Sequence, residues 1–387
     1  MKRFGEAVLY TPGPTSVPPR ILNAYSRPVL HHRTPTFSAI LGSFLNKAQW
    51  LLNTQQPVLP VHTTGRGAME AVISNLLSPG DEIVALCNGK FAKMFADIAG
   101  RYGLTAHCVC TEWDKMPDLA ELEATLAAHP QAKAVTMCHN ESTTAVTIDI
   151  KAVSSLAKAH GMLTIVDAVS SVGCIRIDFD DCGADALVTA SQKGLMCTTG
   201  MALVVLSETG WKACENSTLP KYYTNFKDIR KNVLAANPET PGSTPVTEIY
   251  GLDEAVSMMQ EEGRDALFAR HARVARAVRA MLRALGMELY PLNIPEEARS
   301  NSLTAFAPLE GLTASEIKNG LQEGFGLSIA GGIGELKGKV LRIGHMGHFY
   351  DRDALTLAAC LEAFLKGKGL LRQPGAGVAA CMDALLR

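Results

Sequence analysis

Leu163-Thr-Ile-Val-Asp167-Ala-Val-Ser-Ser171 decides the reading of this chain, together with a second apolar run, Ala186-Leu-Val-Thr-Ala190, that leads into Ser191-Gln192-Lys193. Each run is short, apolar and rich in β-branched residues, so each reads as a strand buried on both faces. One ends in a carboxylate, and the other reaches an amine three residues on. Neighbouring strands that deliver an aspartate and a lysine suit the chemistry of pyridoxal 5'-phosphate. The carboxylate would keep the ring nitrogen protonated, and the amine would bind the aldehyde as a Schiff base. Charged residues at strand ends are also ordinary structural features, so the pair needs support from the rest of the chain.

The chain has 387 residues, 47% of them apolar and 19% charged, with a formal net charge of -1. That length fits one large and one smaller domain. The near-neutral charge gives no support to nucleic-acid or membrane-surface binding. No apolar run has membrane-spanning length, and Met1-Lys-Arg-Phe-Gly-Glu6 lacks a signal-peptide core, so a cytoplasmic location is expected. Ten cysteines are scattered, mostly in strand-like runs, without zinc or CxxC spacing. They read as buried free thiols of a reducing compartment.

Strand-like runs at 82–87, 106–110, 134–138, 163–166, 186–190 and 202–206 alternate with helical stretches at 67–77, 90–102, 119–128 and 150–160. The pattern predicts an α/β fold with a mainly parallel sheet covered by helices. The alternation stops near Lys212, where an irregular polar section (221–243) begins. One long helix is expected over 246–285. Strands at 286–291, 302–306 and 340–343 with helices at 314–323, 353–365 and 378–386 then form a smaller α+β unit.

Thr63-Thr64-Gly65-Arg66-Gly67 opens the helix at 67–77, and a helix start of small and hydroxyl residues welcomes an anion. An ordinary N-cap reads the same way. The dinucleotide fingerprint is missing, which counts against a nicotinamide dehydrogenase. Gly331-Gly332-Ile-Gly334 reads as a flexible turn before a strand. Arg342, inside the apolar run Val340-Leu-Arg-Ile343, calls for an anion. A substrate carboxylate or a structural ion pair would satisfy it. Phe91 could stack on an aromatic ring or simply pack its helix.

Taken together these segments resemble the class V, fold type I aminotransferases, specifically the alanine–glyoxylate/serine–pyruvate group, over almost the whole chain. Thr11-Pro-Gly-Pro-Thr15 resembles the family's substrate-facing arm, and His32-Arg-Thr-Pro35 its (S/H)HR(S/T)P element. The resemblance places cofactor phosphate at Thr64, Gly65 and Arg66, ring stacking at Phe91 and a hydroxyl contact at Ser142 of Glu141-Ser-Thr-Thr144. It puts the ring-nitrogen partner at Asp167, a further cofactor contact at Gln192, the Schiff base at Lys193, and substrate contacts at Gly13 and Arg342. Thr240 and Ser243, in Thr240-Pro-Gly-Ser-Thr-Pro245, match a segment that reaches phosphate across a dimer interface. Departures stand at Ala145, Thr240, Ser243 and Phe91, where relatives carry glycine, tyrosine, threonine and tryptophan.

The resemblance implies a seven-stranded sheet, a homodimer with shared active sites, and three regions: an arm (1–20), a large cofactor-binding domain (21–250) and a small domain (251–387). It also implies ping-pong transfer from a small donor such as alanine or serine to a 2-oxo acid such as glyoxylate or pyruvate, with no metal. Aspartate or 2-aminoethylphosphonate are alternative donors. A lyase or desulfurase of the same fold would need a mobile cysteine, for which Cys197 is the candidate. A non-catalytic binding protein would have no need for Lys193, Asp167 and Arg342 together.

Overall fold

The structure is a computed structural model that describes residues 7–387; the first six residues of the expected arm lie outside the described residues. Its central sheet has seven strands in the order Val58–Val61, Ala202–Leu206, Ala186–Ala190, Leu163–Asp167, Ala134–Cys138, Glu82–Cys87 and Thr105–Cys110. Six of the seven share one direction, and Ala202–Leu206 runs antiparallel to both of its neighbours. The inner strands are buried at nearly every position, as two covered faces require. Helices Gly65–Leu76, Lys90–Arg101, Leu119–Ala128 and Ile150–Ala159 supply the cover.

The smaller sheet is antiparallel, in the order Leu289–Tyr290, Leu303–Phe306, Leu341–Gly344, Ala330–Gly331. It carries its own apolar core with helices Ala314–Phe325 and Asp351–Gly367. Leu267 and Phe268 belong to the larger core, whereas Val274, Ala277, Val278, Met281 and Leu282 on the same helix belong to the smaller one. The arm joins the two units. Val8–Leu9 pairs in parallel with Leu327–Ser328, and Thr15 N–H then donates to the Gln192 carbonyl at 3.1 Å.

Several expectations are corrected. The single helix at 246–285 is two, Val246–Glu262 and Arg264–Ala284, because Gly263 adopts φ +86° and interrupts the ladder. The section at 221–243 contains a helix, Phe226–Val233, capped by Asn225 and burying Phe226, Ile229 and Val233. Strand Val58–Val61 and helix Pro35–Leu52 were not foreseen. The run at 331–334 is not wholly a turn, since Gly331 pairs with Leu341 in the smaller sheet. Cys108 and Cys110 are exposed, because their strand is the sheet's edge.

Candidate active site

Parallel strands deliver their C-terminal residues to one edge of a sheet, which is where open α/β folds bind ligands. Asp167 is the last residue of its strand and lies opposite Val188 and Cys138 in register. The next strand ends at Ala190, and the turn after it carries Gln192 and Lys193. The helix after Cys87, Lys90–Arg101, carries Phe91 in its first turn, and Thr64 caps the helix after Val61, its side chain accepting from Gly67 N–H at 3.5 Å. Thr64, Gly65, Arg66, Phe91, Ser142, Asp167, Gln192 and Lys193 all line one cavity of about 270 Å³.

Gly13 lies outside that lining but packs on the lysine. A methyl group there would sit 2.4 Å from Lys193 Nζ, and the backbone has φ +117°. Lys193 Nζ donates to the Pro12 carbonyl, so the arm closes directly over the amine. Arg342 donates from Nη1 to the Ser142 carbonyl at 2.8 Å, and from Nε and Nη2 to the Gly331 carbonyl at 3.0 and 2.9 Å. Thr240 and Ser243 are not brought to the cavity. They line a separate cleft with His62, Tyr222 and Tyr223.

Electrostatics set these groups apart. Asp167 is 3% exposed, and burial pushes its carboxyl up to about 6, against the pull of the Val169 N–H and the Lys193 charge. Burial lowers the Lys193 ammonium to about 8; Asp167 opposes that shift, and the Arg342 charge reinforces it. An amine so placed can both take and give a proton near neutrality. Burial also pushes the Cys138 thiol well up, and it sits 3.8 Å from Asp167 Oδ2. The other carboxylate oxygen, Oδ1, accepts from Val169 N–H at 2.8 Å.

Other cavity residues were missed or left without a role. Met69, Met94, Asn140 and Ser170 also line it. Asn140 Nδ2 donates to the hydroxyls of Ser170 and Ser302 at 2.8 and 2.9 Å, tying the cavity wall to the smaller sheet's strand region. Glu141 was quoted only as part of a motif. Its fully buried carboxylate accepts from Phe91 and Ala92 N–H at 2.9 Å and from Thr143 N–H at 2.8 Å. It therefore binds the start of helix Lys90–Arg101 and sets where Phe91 stands. The signal lay in an acidic residue just after a buried strand. Cavity-facing backbone groups such as the Pro12 carbonyl leave no side-chain signal at all.

These residues fit pyridoxal phosphate. The Gln192 Oε1 atom is buried without a hydrogen-bond partner among the described residues, and Asp167 Oδ2 meets only a thiol. Both are acceptors awaiting a donor, as a protonated ring provides for the aspartate. Gly65 leaves no room for a larger residue, since a Cβ would lie 2.7 Å from Val169 Cγ2, so the helix start approaches the cavity wall by backbone alone.

The chain matches the family model described as aminotransferase class-V over residues 8–335. It is 39% identical to the soluble hydrogenase small subunit of Synechococcus sp., over 98% of each chain. It is 35% identical to the L-aspartate–glyoxylate aminotransferase of Paracoccus denitrificans, covering 97% of this chain and 95% of that one. Among solved structures, pyridoxamine-pyruvate aminotransferase from Mesorhizobium loti superposes with a TM-score of 0.92 at 28% identity, over 100% of this chain and 98% of the other. With the sheet, the carboxylate and the amine in place, the chain belongs to the class V aminotransferases, and is a pyridoxal phosphate-dependent aminotransferase of fold type I.

Proposed function

We propose that this enzyme moves an amino group from a small α-amino acid donor to glyoxylate or pyruvate, with Lys193 and Asp167 as its catalytic residues. The observation that carries the reading is Arg342. Its side chain is 7% exposed and has no carboxylate within ion-pair distance among the described residues, where a buried guanidinium ordinarily has one. Three of its five N–H groups are taken by carbonyls, leaving one on each terminal nitrogen. That remaining fork suits a substrate α-carboxylate.

Pyridoxal phosphate, when bound, supplies an aldehyde that captures the amino group and a ring that draws electrons from the α-carbon. Asp167 would hold the proton on the ring nitrogen. Thr64, Gly65 and Arg66 offer the helix start and a cation to phosphate, with Ser142 and Gln192 as further polar contacts. Phe91 and Val169 line the cavity and would flank the ring. Arg342 and the arm at Gly13 orient the donor, and Lys193 takes the α-proton and returns it one position away. The Pro12 carbonyl and Asp167 hold that amine in place.

The relatives' names include aspartate and serine as donors and glyoxylate and pyruvate as acceptors, which supports a small donor of this range, aspartate included. A desulfurase reading is weaker. Cys197 is fully buried, and burial pushes its thiol far up, which does not suit an attacking thiolate.

We place the domain division at an arm (1–20), a large domain and a small one, with the boundary between the last two inside helix Arg264–Ala284, after Phe268 and before Val274, rather than at 250. Thr240 and Ser243 serve the partner copy's phosphate in a homodimer. Ten free cysteines favour a reducing, cytoplasmic setting. An absorbance spectrum before and after adding alanine, serine, aspartate or 2-aminoethylphosphonate tests the function. One donor is expected to bleach the cofactor band, and glyoxylate or pyruvate to restore it. A bound cofactor that no amino acid bleaches sinks the proposal.

A further inference from the structure

Two neighbouring strands at the edge of the central sheet run in parallel register, pairing Ala85 with Cys108 and Cys87 with Cys110. Residues two apart on a strand face the same way, so Cys108 and Cys110 share a face, and register puts Cys87 on it too. The three Sγ atoms lie within 4.8 Å of one another. The sequence alone hides this, because a C-x-C pair on one strand lacks zinc spacing and the third thiol comes from the strand beside it. Cys87 is buried, while Cys108 and Cys110 open to solvent, so an ion can reach the trio from outside.

We propose that Cys87, Cys108 and Cys110 form a binding site for a soft d¹⁰ metal ion, of the Cu⁺, Zn²⁺ or Cd²⁺ kind, on the edge strand of the sheet and outside the catalytic cavity. Three thiolates are a donor set selective for such ions. Zinc–sulfur bonds of about 2.3 Å, roughly tetrahedral, put ligand sulfurs somewhat under 4 Å apart, so these thiols need only a small closure to bind. A trigonal ion would be complete with three; Zn²⁺ or Cd²⁺ would take water from the open side. Each thiol that binds gives up its proton, so binding releases protons to solvent. None of the three lines the cofactor cavity. Cys87 ends the strand that leads into the helix carrying Phe91, so a bound ion would pin that strand to its edge neighbour.

Burial pushes the Cys87 and Cys108 thiols up, which disfavours their spontaneous oxidation. A second cluster, Glu82, His107 and His129, lies near the other end of the same strands and provides the control. Alternation along the strand puts His107 on the opposite face from Cys108.

The test is Cd²⁺ titration of the reduced holoenzyme, followed by cadmium–thiolate ultraviolet absorption and by elemental analysis after gel filtration. Wild type should retain one Cd²⁺ per chain and show three fewer thiols to a colorimetric reagent. The Cys108→Ser/Cys110→Ser double variant should lose both signals while keeping its transaminase rate, and His129→Ala should keep both. Cadmium retained equally by the double variant overturns the proposal. So does a wild type that retains none, including one in which the thiols only pair as a disulfide. The cofactor spectrum of each sample shows whether the aminotransferase reading stands independently.

Discussion

Lys193 and Asp167 face each other across a cavity that raises one and lowers the other, and their separate substitution distinguishes their roles. Lys193→Ala should leave a folded protein whose multiple-turnover transamination falls by at least about 10³-fold, measured with saturating donor and acceptor. Near-normal turnover would remove the lysine from the mechanism. Asp167 makes a second prediction through pH. Its folded carboxyl is raised to about 6 from an ordinary 3.8, so between those values the folded protein binds a proton that the unfolded chain does not. Stability therefore falls as pH rises through that window, by an amount on the order of 3 kcal/mol in the cofactor-free protein. Asp167→Asn removes the titration, and its melting temperature should lack that fall between pH 4 and 6. Identical pH profiles for the two proteins would show that Asp167 is not desolvated as described. Both residues were legible in the sequence because a charge at the end of an unbroken apolar run is costly and conspicuous. Glu141 and the Pro12 carbonyl were not, since one acts on backbone N–H groups and the other is itself backbone.

Arg342 reaches its place on a strand of the smaller sheet, and its neighbours on that sheet explain why it is rigid. Gly331, across the ladder, accepts two of its N–H groups, and Ser142 of the large unit accepts a third. Arg342→Gln should raise KM for the amino donor and lower kcat/KM by about 10- to 100-fold, as loss of one charge-assisted contact does. A change in kcat alone, with KM intact, would argue against carboxylate binding. Strands of this kind were readable where they were buried and continuous; Val58–Val61 was not, because it is short and contains Pro60. The long helix was misread at Gly263, where a helical pattern continues on both sides and only backbone φ interrupts it. A Cβ there would meet nothing within 4 Å, so Gly263→Ala isolates the backbone effect. It should destabilise by about 1–3 kcal/mol in denaturant melts, leaving the cofactor spectrum unchanged. Unchanged stability would mean the junction can rearrange.

The whole molecule leaves two parts of the expected site apart. Eight residues meet in one cavity, while Thr240 and Ser243 line a different cleft beside Tyr222, which is 94% exposed, and Tyr223, which is 65% exposed. Two large exposed aromatic rings beside a cleft are the kind of surface that a second copy covers. A two-fold dimer would bring this cleft against the partner's cavity and supply the missing hydroxyls in trans. Sequence could suggest this only by resemblance, because a contact between copies leaves no periodicity in one chain. Ser243→Asp would place a negative charge against phosphate and Lys193→Ala removes the amine, so each homodimer should have low activity at limiting cofactor. If the sites are shared, unfolding and refolding an equal mixture should regenerate about one quarter of wild-type activity, since half the dimers are mixed and each carries one intact site. If each chain uses its own Ser243, every site in the mixture keeps one defect and activity stays low, whatever the oligomeric state.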